Sequence, residues 1–259
     1  MVRCLPLFNG GEIMHEVKIM IGDITTFNVE CIVNAANESL LGGGGVDGAI
    51  HRAAGEELYK ECLTLGGCKT GEAKITKGYN LKAKYIIHTV GPIYKRIQPE
   101  IAESQLYSCY KNSLELAKAN NIHEIAFSAI STGVYGYPPH LACATALQAT
   151  NDWLSQNQDY DMTVIFCCYD EMMSFYYQRA MEDEAGDVDR QTKTILSQVF
   201  SKRPESREQA VAMLENILTQ ATEVGNTTKI RATESLLQSL SEADDDTYEI
   251  VKEAFLGIE

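Results

Sequence analysis

Two amide side chains and a carboxylate stand beside a run of four glycines, and these residue types can hold an anion and act on a group attached to it. The amides lie in Val33–Asn37, and the carboxylate follows the glycines in Leu41–Gly48. Glycine lets the backbone approach a phosphate closely, and a helix start supplies unpaired N–H groups and a positive dipole end. The pattern predicts a diphosphate-binding loop with reactive groups at its edge, although a flexible surface loop has a similar composition.

A second loop of the same type lies at Ser131–Pro138. It follows an apolar run at 125–130 and precedes a helical pattern that begins near Pro139. The first loop likewise lies between a predicted strand and a predicted helix. Open α/β sheets bind ligands beyond the carboxyl ends of their strands. Two loops of one type therefore predict a single ligand held from both sides.

Strands and helices alternate along the first part of the chain, which predicts a three-layer α/β sandwich with a mixed sheet. The predicted strands are 17–22, 30–34, 73–77, 85–90, 125–130 and 162–168. The predicted helices are 47–65, 100–119, 139–155 and 170–181.

The last part of the chain has no strand pattern and predicts an all-helical appendage. Apolar residues from Ala210 to Ala221 follow the helical period, Ser206 and Gln209 form a capping-box pattern, and Gly225 ends that helix. Two more helices are predicted, at 230–240 and 248–256. The acidic run at 182–187 is poor core material, so we place a domain boundary between residues 183 and 184.

Composition limits the classes of function. The net charge of −14 over 259 residues argues against general nucleic-acid binding but allows a local pocket for one nucleotide. No apolar run approaches the ~20 residues of a membrane span. The amino terminus lacks a secretory pattern, which predicts a cytoplasmic protein. The eight cysteines are scattered through apolar patterns and are expected to be buried free thiols.

Six motifs in sequence order resemble the macrodomain family, and most closely its branch that hydrolyses ADP-ribose esters. They are Gly22–Thr25, Val33–Asn37, Leu41–Gly55, Thr70–Ala73, Tyr85–Pro92 and Ser131–Pro138. The resemblance covers roughly residues 17–182 and implies a three-layer α/β/α macrodomain over residues 1–183 that binds ADP-ribose and carries the catalytic site. The remaining residues, 184–259, resemble no family that we can name.

The resemblance implies an ADP-ribose site. Asp23 and Ile24 correspond to the adenine end, where the family aspartate accepts a hydrogen bond from the adenine amino group. Tyr169 corresponds to an aromatic ring against the adenine. Backbone N–H groups would hold the diphosphate, and they belong to Gly43, Gly44, Gly45 and Val46 in the first loop and to Ser131, Thr132, Gly133, Val134 and Tyr135 in the second. Two alternatives stay open: Asp23 as a turn cap, and Tyr169 as part of helix–sheet packing.

The resemblance assigns the chemistry to Asn37 and Asp47. Asn37 corresponds to the asparagine that hydrogen-bonds the distal ribose, and Asp47 to the acidic residue that orients or activates a water beside the scissile ester. General-base assistance of this kind contributes about 10²–10⁴-fold. In some accounts of the family a substrate phosphate orients the water instead. Asp47 could also be the N-cap of the helix that follows.

No cofactor and no metal is expected. His51 falls one turn after Asp47 and could face the same pocket, whereas His88 lies in an apolar strand and is expected in the core. A zinc site of His51, Cys62 and Cys68 is disfavoured, because a metal-dependent branch of the family carries an insertion with ligands that residues 41–47 lack.

We therefore predict a hydrolase that removes mono-ADP-ribose from ester-linked acidic side chains of proteins and deacetylates O-acetyl-ADP-ribose. Its expected partners are ADP-ribose, its esters and ADP-ribosylated proteins, without membrane binding. One alternative is a reader module that binds ADP-ribose without turnover. Another is an interaction protein whose helical tail recruits a partner or self-associates.

Overall fold

The computed structural model describes residues 4–7, 15–200, 202, 204, 206–242, 248 and 252. The chain separates into two compact units, Met1–Ala180 and Met181–Glu259. In the described part of the chain, no helix combines the length and the apolar character that crossing a membrane requires.

The first unit is built on one mixed sheet. Its strands are β1 (Cys4–Leu7), β2 (His15–Ile21), β3 (Cys31–Ala36), β4 (Ala73–Lys77), β5 (Tyr85–Val90), β6 (Glu124–Phe127) and β7 (Met162–Cys168), in the order β1-β2-β7-β6-β3-β5-β4. The five central strands are parallel to one another, while β1 and β4 pair antiparallel at the two edges. Because the carboxyl ends of the central strands share one edge of the sheet, the loops that follow them meet there.

Helices cover both faces of this sheet, which confirms the predicted three-layer α/β fold. The helices are α1 (Gly45–Ala54), α2 (Glu56–Leu65), α3 (Pro99–Ala119), α4 (Pro139–Gln156) and the beginning of α5 (Glu171–Phe200). On one face, the core cluster includes Ile32 of β3 and Leu58 of α2. On the other face, Tyr110 of α3 contacts Phe127 with ring centroids 4.9 Å apart, and Phe166 stacks on Tyr177 of α5 at 4.4 Å.

Several predicted element limits are wrong, each for a local reason. The single helix predicted over 47–65 breaks at Gly55, whose φ of 91° is open mainly to glycine. The helix predicted over 170–181 continues to Phe200, because acidic residues are poor core material but adequate helix formers. The strand predicted over 125–130 ends at Phe127, and β1 was not predicted.

In the described part of the second unit, the regular elements are helical, as predicted. They are the end of α5, α6 (Arg207–Glu223) and α7 (Thr227–Glu242). The predicted cap of α6 is confirmed, because the Ser206 hydroxyl oxygen accepts a hydrogen bond from the backbone N–H of Gln209 at 3.4 Å. The apolar stripe of α6 packs within the unit, where Leu214 joins a core with Phe200.

Two predictions about this unit stay open. The helix predicted over 248–256 lies outside the described residues, apart from Tyr248 and Lys252. The division of roles between residues 1–183 and 184–259 also stays a prediction.

Gly55→Ala should destabilise the first unit by about 1–3 kcal/mol, because alanine is strained at this φ. Its Cβ would also lie 2.6 Å from Asn80 Nδ2. Chemical denaturation followed by tryptophan fluorescence checks this, since Trp153 lies in the same unit. Gly44→Ala is the matched control, because Gly44 has an extended backbone with φ of −92° and open space around its Cβ position. Equal stability of the two variants would contradict the prediction.

Candidate functional site

The predicted site residues lie at one edge of the sheet, on loops and in the first turn of α1. Asp23 follows β2, Asn37 follows β3, the second glycine loop follows β6, and Tyr169 follows β7. All four loops leave the carboxyl ends of neighbouring parallel strands. Residues far apart in the sequence are therefore brought to the same edge.

The first glycine loop leads directly into helix α1. The first N–H groups of any helix lack intrahelical partners, and here the N-cap residue, Gly44, has no side chain to cap them. Apart from adjacent backbone, no heavy atom of the described residues lies within 4 Å of the Cβ position of Gly44 or Gly45. At Gly48, in contrast, a Cβ would come within 2.3 Å of the Gly43 carbonyl oxygen. The loop is thus folded tightly against its own helix and open on the side where its N–H groups can meet an anion.

The second glycine loop is a closed turn. The Gly136 N–H donates to the Gly133 carbonyl oxygen at 2.9 Å, and the Tyr137 N–H donates to that of Ser131 at 3.0 Å. Across the described residues, the backbone N–H groups of 132–135 donate no hydrogen bond. Val134 at the tip is 99% exposed. These N–H groups are available to an anion, like those of the first loop.

Ser131 differs from the rest of this loop. Its φ is 64°, an uncommon value for a serine, and its buried Oγ has no hydrogen-bond partner in the described part of the chain. A Cβ on Gly91 would lie 2.1 Å from that oxygen. The hydroxyl therefore packs against the backbone of the neighbouring loop, and a contact of Ser131 with a ligand would involve its main chain.

Asp23 caps a short 3₁₀ turn, Ile24–Thr26, so the alternative role predicted for it is confirmed. Its Oδ1 accepts hydrogen bonds from the N–H of Thr25 at 3.0 Å and from the Thr25 hydroxyl at 2.8 Å. The carboxylate is exposed and keeps Oδ2 for a further donor. The side chain of Ile24 is buried in the core, so a ligand would meet its backbone.

Tyr169 does not take part in the packing between helix and sheet. Its side chain is 90% exposed, whereas Phe166 and Tyr177 form the buried stack described above. An exposed ring beside the strand ends is available to a planar ligand. Its contact with adenine stays a prediction.

Asp47 is buried in the first turn of α1, with 4% of its surface exposed. It is not the N-cap, because Gly44 holds that position. Its Oδ1 accepts a hydrogen bond from Asn34 Nδ2 at 2.7 Å, and its Oδ2 accepts one from Asn37 Nδ2 at 3.2 Å. Burial raises the pKa of this carboxyl, while the Asn34 hydrogen bond and the charge of His51 oppose the rise.

Asn34 joins Asp47 to a buried chain of hydrogen bonds. Its second amide hydrogen is donated to Nδ1 of His88 at 3.1 Å, so Nε2 of His88 carries the ring proton and donates to Thr76 Oγ1 at 2.9 Å. Burial lowers the pKa of His88 to about 3, and the charge of His51 adds to the effect. The imidazole is therefore neutral, and it fixes the amide that holds Asp47.

Asn37 is engaged on both sides of its amide. Its Nδ2 donates to the Gly42 carbonyl oxygen at 2.8 Å as well as to Asp47, and its Oδ1 accepts from the N–H and the hydroxyl of Ser39 at 3.0 and 2.6 Å. Asn37 thus ties the first glycine loop to the carboxylate. A hydrogen bond to a ribose would have to replace one of these contacts.

The zinc site considered from the sequence, His51, Cys62 and Cys68, does not form as a cluster in the described residues. Among the described residues, His51 and Cys62 cluster with His88 rather than with Cys68, with ligand atoms within 4.8 Å of one another. Both ring nitrogens of His88 already have hydrogen-bond partners, and burial raises the pKa of Cys62 to about 11. His51 does face Asp47, with its Nε2 3.5 Å from Oδ1. With the His88 nitrogens engaged and the Cys62 thiol protonated at neutral pH, these three residues are a poor ligand set for a metal ion.

The sequence analysis gave no individual functional role to three residues of this site: Asn34, Thr76 and His88. The sequence could have indicated Asn34, because an amide in an otherwise apolar buried strand needs hydrogen-bond partners. Its side chain shares the side of β3 with Ile32, which packs towards α1 and α2. Thr76 and His88 meet it only through the pairing of β4 with β5 and of β5 with β3.

Comparison with known proteins places this arrangement in a family. The Macro domain model matches residues 33–146. A macro domain-containing protein of Mesorhizobium japonicum is 54% identical over 168 residues, which are 65% of this chain and 94% of that protein. ADP-ribose glycohydrolase MACROD2 of Homo sapiens is 50% identical over 172 residues, 66% of this chain but only 40% of the human protein.

Solved structures agree. A Trypanosoma brucei macrodomain in complex with ADP-ribose is 43% identical, with a TM-score of 0.58, and the match covers 64% of this chain and 68% of that one. An Oceanobacillus iheyensis macrodomain with ADP is 43% identical, with a TM-score of 0.62, and covers 70% and 96%. The chain belongs to the macrodomain family.

Proposed function

We propose that this chain is a hydrolase of ADP-ribose esters. Its substrates would be mono-ADP-ribose linked to acidic side chains of proteins, and O-acetyl-ADP-ribose. The observation that carries the proposal is the buried Asp47 carboxylate, which lies in the first turn of the helix that the first glycine loop opens and has a raised pKa. A carboxylate in that position is next to whatever the loop holds.

The two glycine loops supply the binding half of the proposal. Both present backbone N–H groups without partners in the described residues, and neither places a cationic side chain in the cradle itself. Such N–H groups hold a diphosphate without an arginine clamp, which reconciles phosphate binding with a strongly acidic chain. Asp23 and Tyr169 would then receive the adenine at the β2 and β7 ends.

Asp47 supplies the chemical half. It would take a proton from a water whose oxygen attacks the ester carbonyl carbon, and the ribose oxygen would leave with that proton as the acyl C–O bond breaks. A general base works best when its pKa approaches the working pH, so the rise caused by burial strengthens Asp47 in this role. Asn34 and Asn37 fix both oxygens and set the direction of attack.

The names of relatives support a hydrolase. The human and Bos taurus relatives are named ADP-ribose glycohydrolases, at 50% and 47% identity. The chain spans about 40% of the first and 52% of the second, so it carries only part of what those proteins contain.

A reader that binds ADP-ribose without turnover is the second candidate. It is favoured by one observation: both oxygens of Asp47 already accept hydrogen bonds from asparagine side chains. A carboxylate held in this way could serve only to shape the first loop.

ADP-ribose should bind with a dissociation constant in the micromolar range, which is a binding free energy of about −8 kcal/mol. It should bind more tightly than AMP, because each glycine loop can bind one of its two phosphates. Gly44→Glu should abolish binding, since its side chain would fill the open space beside Gly44 with negative charge. Isothermal titration calorimetry measures both, and Val224→Glu, at an exposed position in the second unit, is the matched control. AMP binding as tightly as ADP-ribose would show that the pocket is wrongly assigned.

Asp47→Ala should lower turnover of an ester substrate by roughly 10²-fold while most ADP-ribose affinity remains, because the change removes a base rather than a phosphate donor. Release of ADP-ribose from an ester-modified protein measures turnover, and calorimetry measures affinity. Wild-type protein that binds ADP-ribose but releases none from the ester would favour the reader instead.

Asn34→Leu should move the acid limb of the pH–activity profile to higher pH. The hydrogen bond from Asn34 lowers the pKa of Asp47, so its loss raises that pKa further, and the active carboxylate form then disappears at a higher pH on acidification. The profile of kcat/KM from pH 4 to 8 checks this, for folded variants of equal ADP-ribose affinity. An unmoved limb would mean that Asp47 is not the titrating base.

A further inference from the structure

A short basic segment lies beside the second glycine loop, and the ADP-ribose site as proposed does not use it. We call residues 91–98 the basic loop; it follows β5 and contains a 3₁₀ turn, Tyr94–Arg96, that carries Lys95 and Arg96. The N–H of Tyr94 donates to the Tyr135 carbonyl oxygen at 3.0 Å. The rings of Tyr94 and Tyr137 are 4.6 Å apart. These contacts fix the basic loop against the second glycine loop.

Both cations therefore stand at the mouth of the candidate site. A Cβ on Gly136 would lie 3.7 Å from Cε of Lys95. Burial raises the pKa of the Tyr135 phenol, the charges of Glu38 and Asp47 raise it further, and the nearby charge of Arg96 opposes the rise. Tyr135 thus lies within the electrostatic reach of both the catalytic carboxylate and Arg96.

Lys95 and Arg96 are neighbours that lack carboxylate partners among the described residues of an acidic chain. The chain has 36 acidic and 22 basic residues, and Lys18, Lys60, Lys84 and Lys118 all form ion pairs with carboxylates. Lys95 and Arg96 are exposed and form no ion pair with any residue that the structure describes. Two neighbouring cations without partners, in a chain rich in carboxylates, are available to an acidic ligand from outside.

We propose that the basic loop binds acidic residues that flank the modified side chain of a substrate protein. This inference rests on the proposed function, in which the ester lies at Asp47 and the protein continues outward from it. The diphosphate already has its backbone donors, so the cations are left for charges beyond the ADP-ribose unit. Exposed lysine and arginine attract carboxylates over several ångströms and add selectivity more than affinity.

The test compares three substrates. Two are peptides that carry one ester-linked ADP-ribose on a glutamate, with flanking aspartate and glutamate in the first, and asparagine and glutamine in the second. The third, O-acetyl-ADP-ribose, has no flanks. The variants are Lys95→Glu and Arg96→Glu, with Arg96→Lys to preserve the charge. Lys82→Glu is the matched control, because exposed Lys82 precedes the amino end of β5, opposite the site.

Wild-type protein should show a higher kcat/KM on the acidic peptide than on the neutral one. Each charge reversal should lower the ratio of acidic-peptide to O-acetyl-ADP-ribose turnover about fivefold, while Arg96→Lys and Lys82→Glu leave it unchanged. The preference should vanish at about 1 M salt, where the screening length is about 3 Å.

Three results would overturn the proposal. The first is equal kcat/KM of the two peptides on wild-type protein. The second is an equal loss in Lys82→Glu, which would reflect net charge alone. The third is that the reversals weaken binding of a two-unit ADP-ribose chain but leave the peptides unaffected, because the loop would then recognise phosphates. If wild-type protein turns over none of the substrates, the proposed function fails, and peptide affinities measured by calorimetry still decide the inference.

Discussion

The hydrogen bond from Asn34 to Asp47 is the interaction on which the candidate site depends. It joins the end of β3 to the first turn of α1 across 13 residues of sequence, with 2.7 Å between the two atoms. An unpartnered buried carboxylate is costly, and a buried donor left unsatisfied costs about 1–3 kcal/mol. This hydrogen bond gives the carboxylate a donor and the amide an acceptor, and it holds the carboxylate beside the glycine loop.

The hydrogen bonds from Asn34 to His88 and from His88 to Thr76 explain why the Asn34 amide can hold Asp47 in place. His88 on β5 lies opposite Asn34 on β3, and Thr76 on the next strand, β4, reaches the His88 ring through a side-chain hydrogen bond of 2.9 Å. Because His88 stays neutral, its Nδ1 is a fixed acceptor, and both hydrogens of the Asn34 amide are committed. The orientation of Asp47 Oδ1 is thus set by residues of the sheet. Preorganisation of this kind makes an electrostatic site effective.

Two kinds of anion-binding group lie at this edge of the sheet: backbone N–H groups and cationic side chains. In the proposed function, backbone N–H groups of the two glycine loops would bind the phosphates, and they add no net charge to an acidic chain. The cationic side chains stand outside, on the basic loop, where solvent screens them and where a polypeptide attached to the ribose would pass. Binding of the nucleotide and choice of the protein that carries it would then be set by separate parts of the chain.

The sequence alone determined the alternation of strands and helices, the two glycine loops, and the family. These follow from local patterns: apolar runs of strand length, glycines that only certain loops require, and motifs in a fixed order. It also placed Asn37 and Asp47 together, because a loop and a helix start so close in sequence have few ways to be arranged.

Only the tertiary structure decided which partners surround them. Asn34 and His88 are 54 residues apart, and their contact depends on the register of β3 with β5, which no local pattern contains. The same holds for the basic loop, which reaches Tyr135 because β5 and β6 flank β3 and open at the same edge. Local residue types set which groups can act, whereas long-range pairing sets which groups meet, because hydrogen bonds and charges act over only a few ångströms.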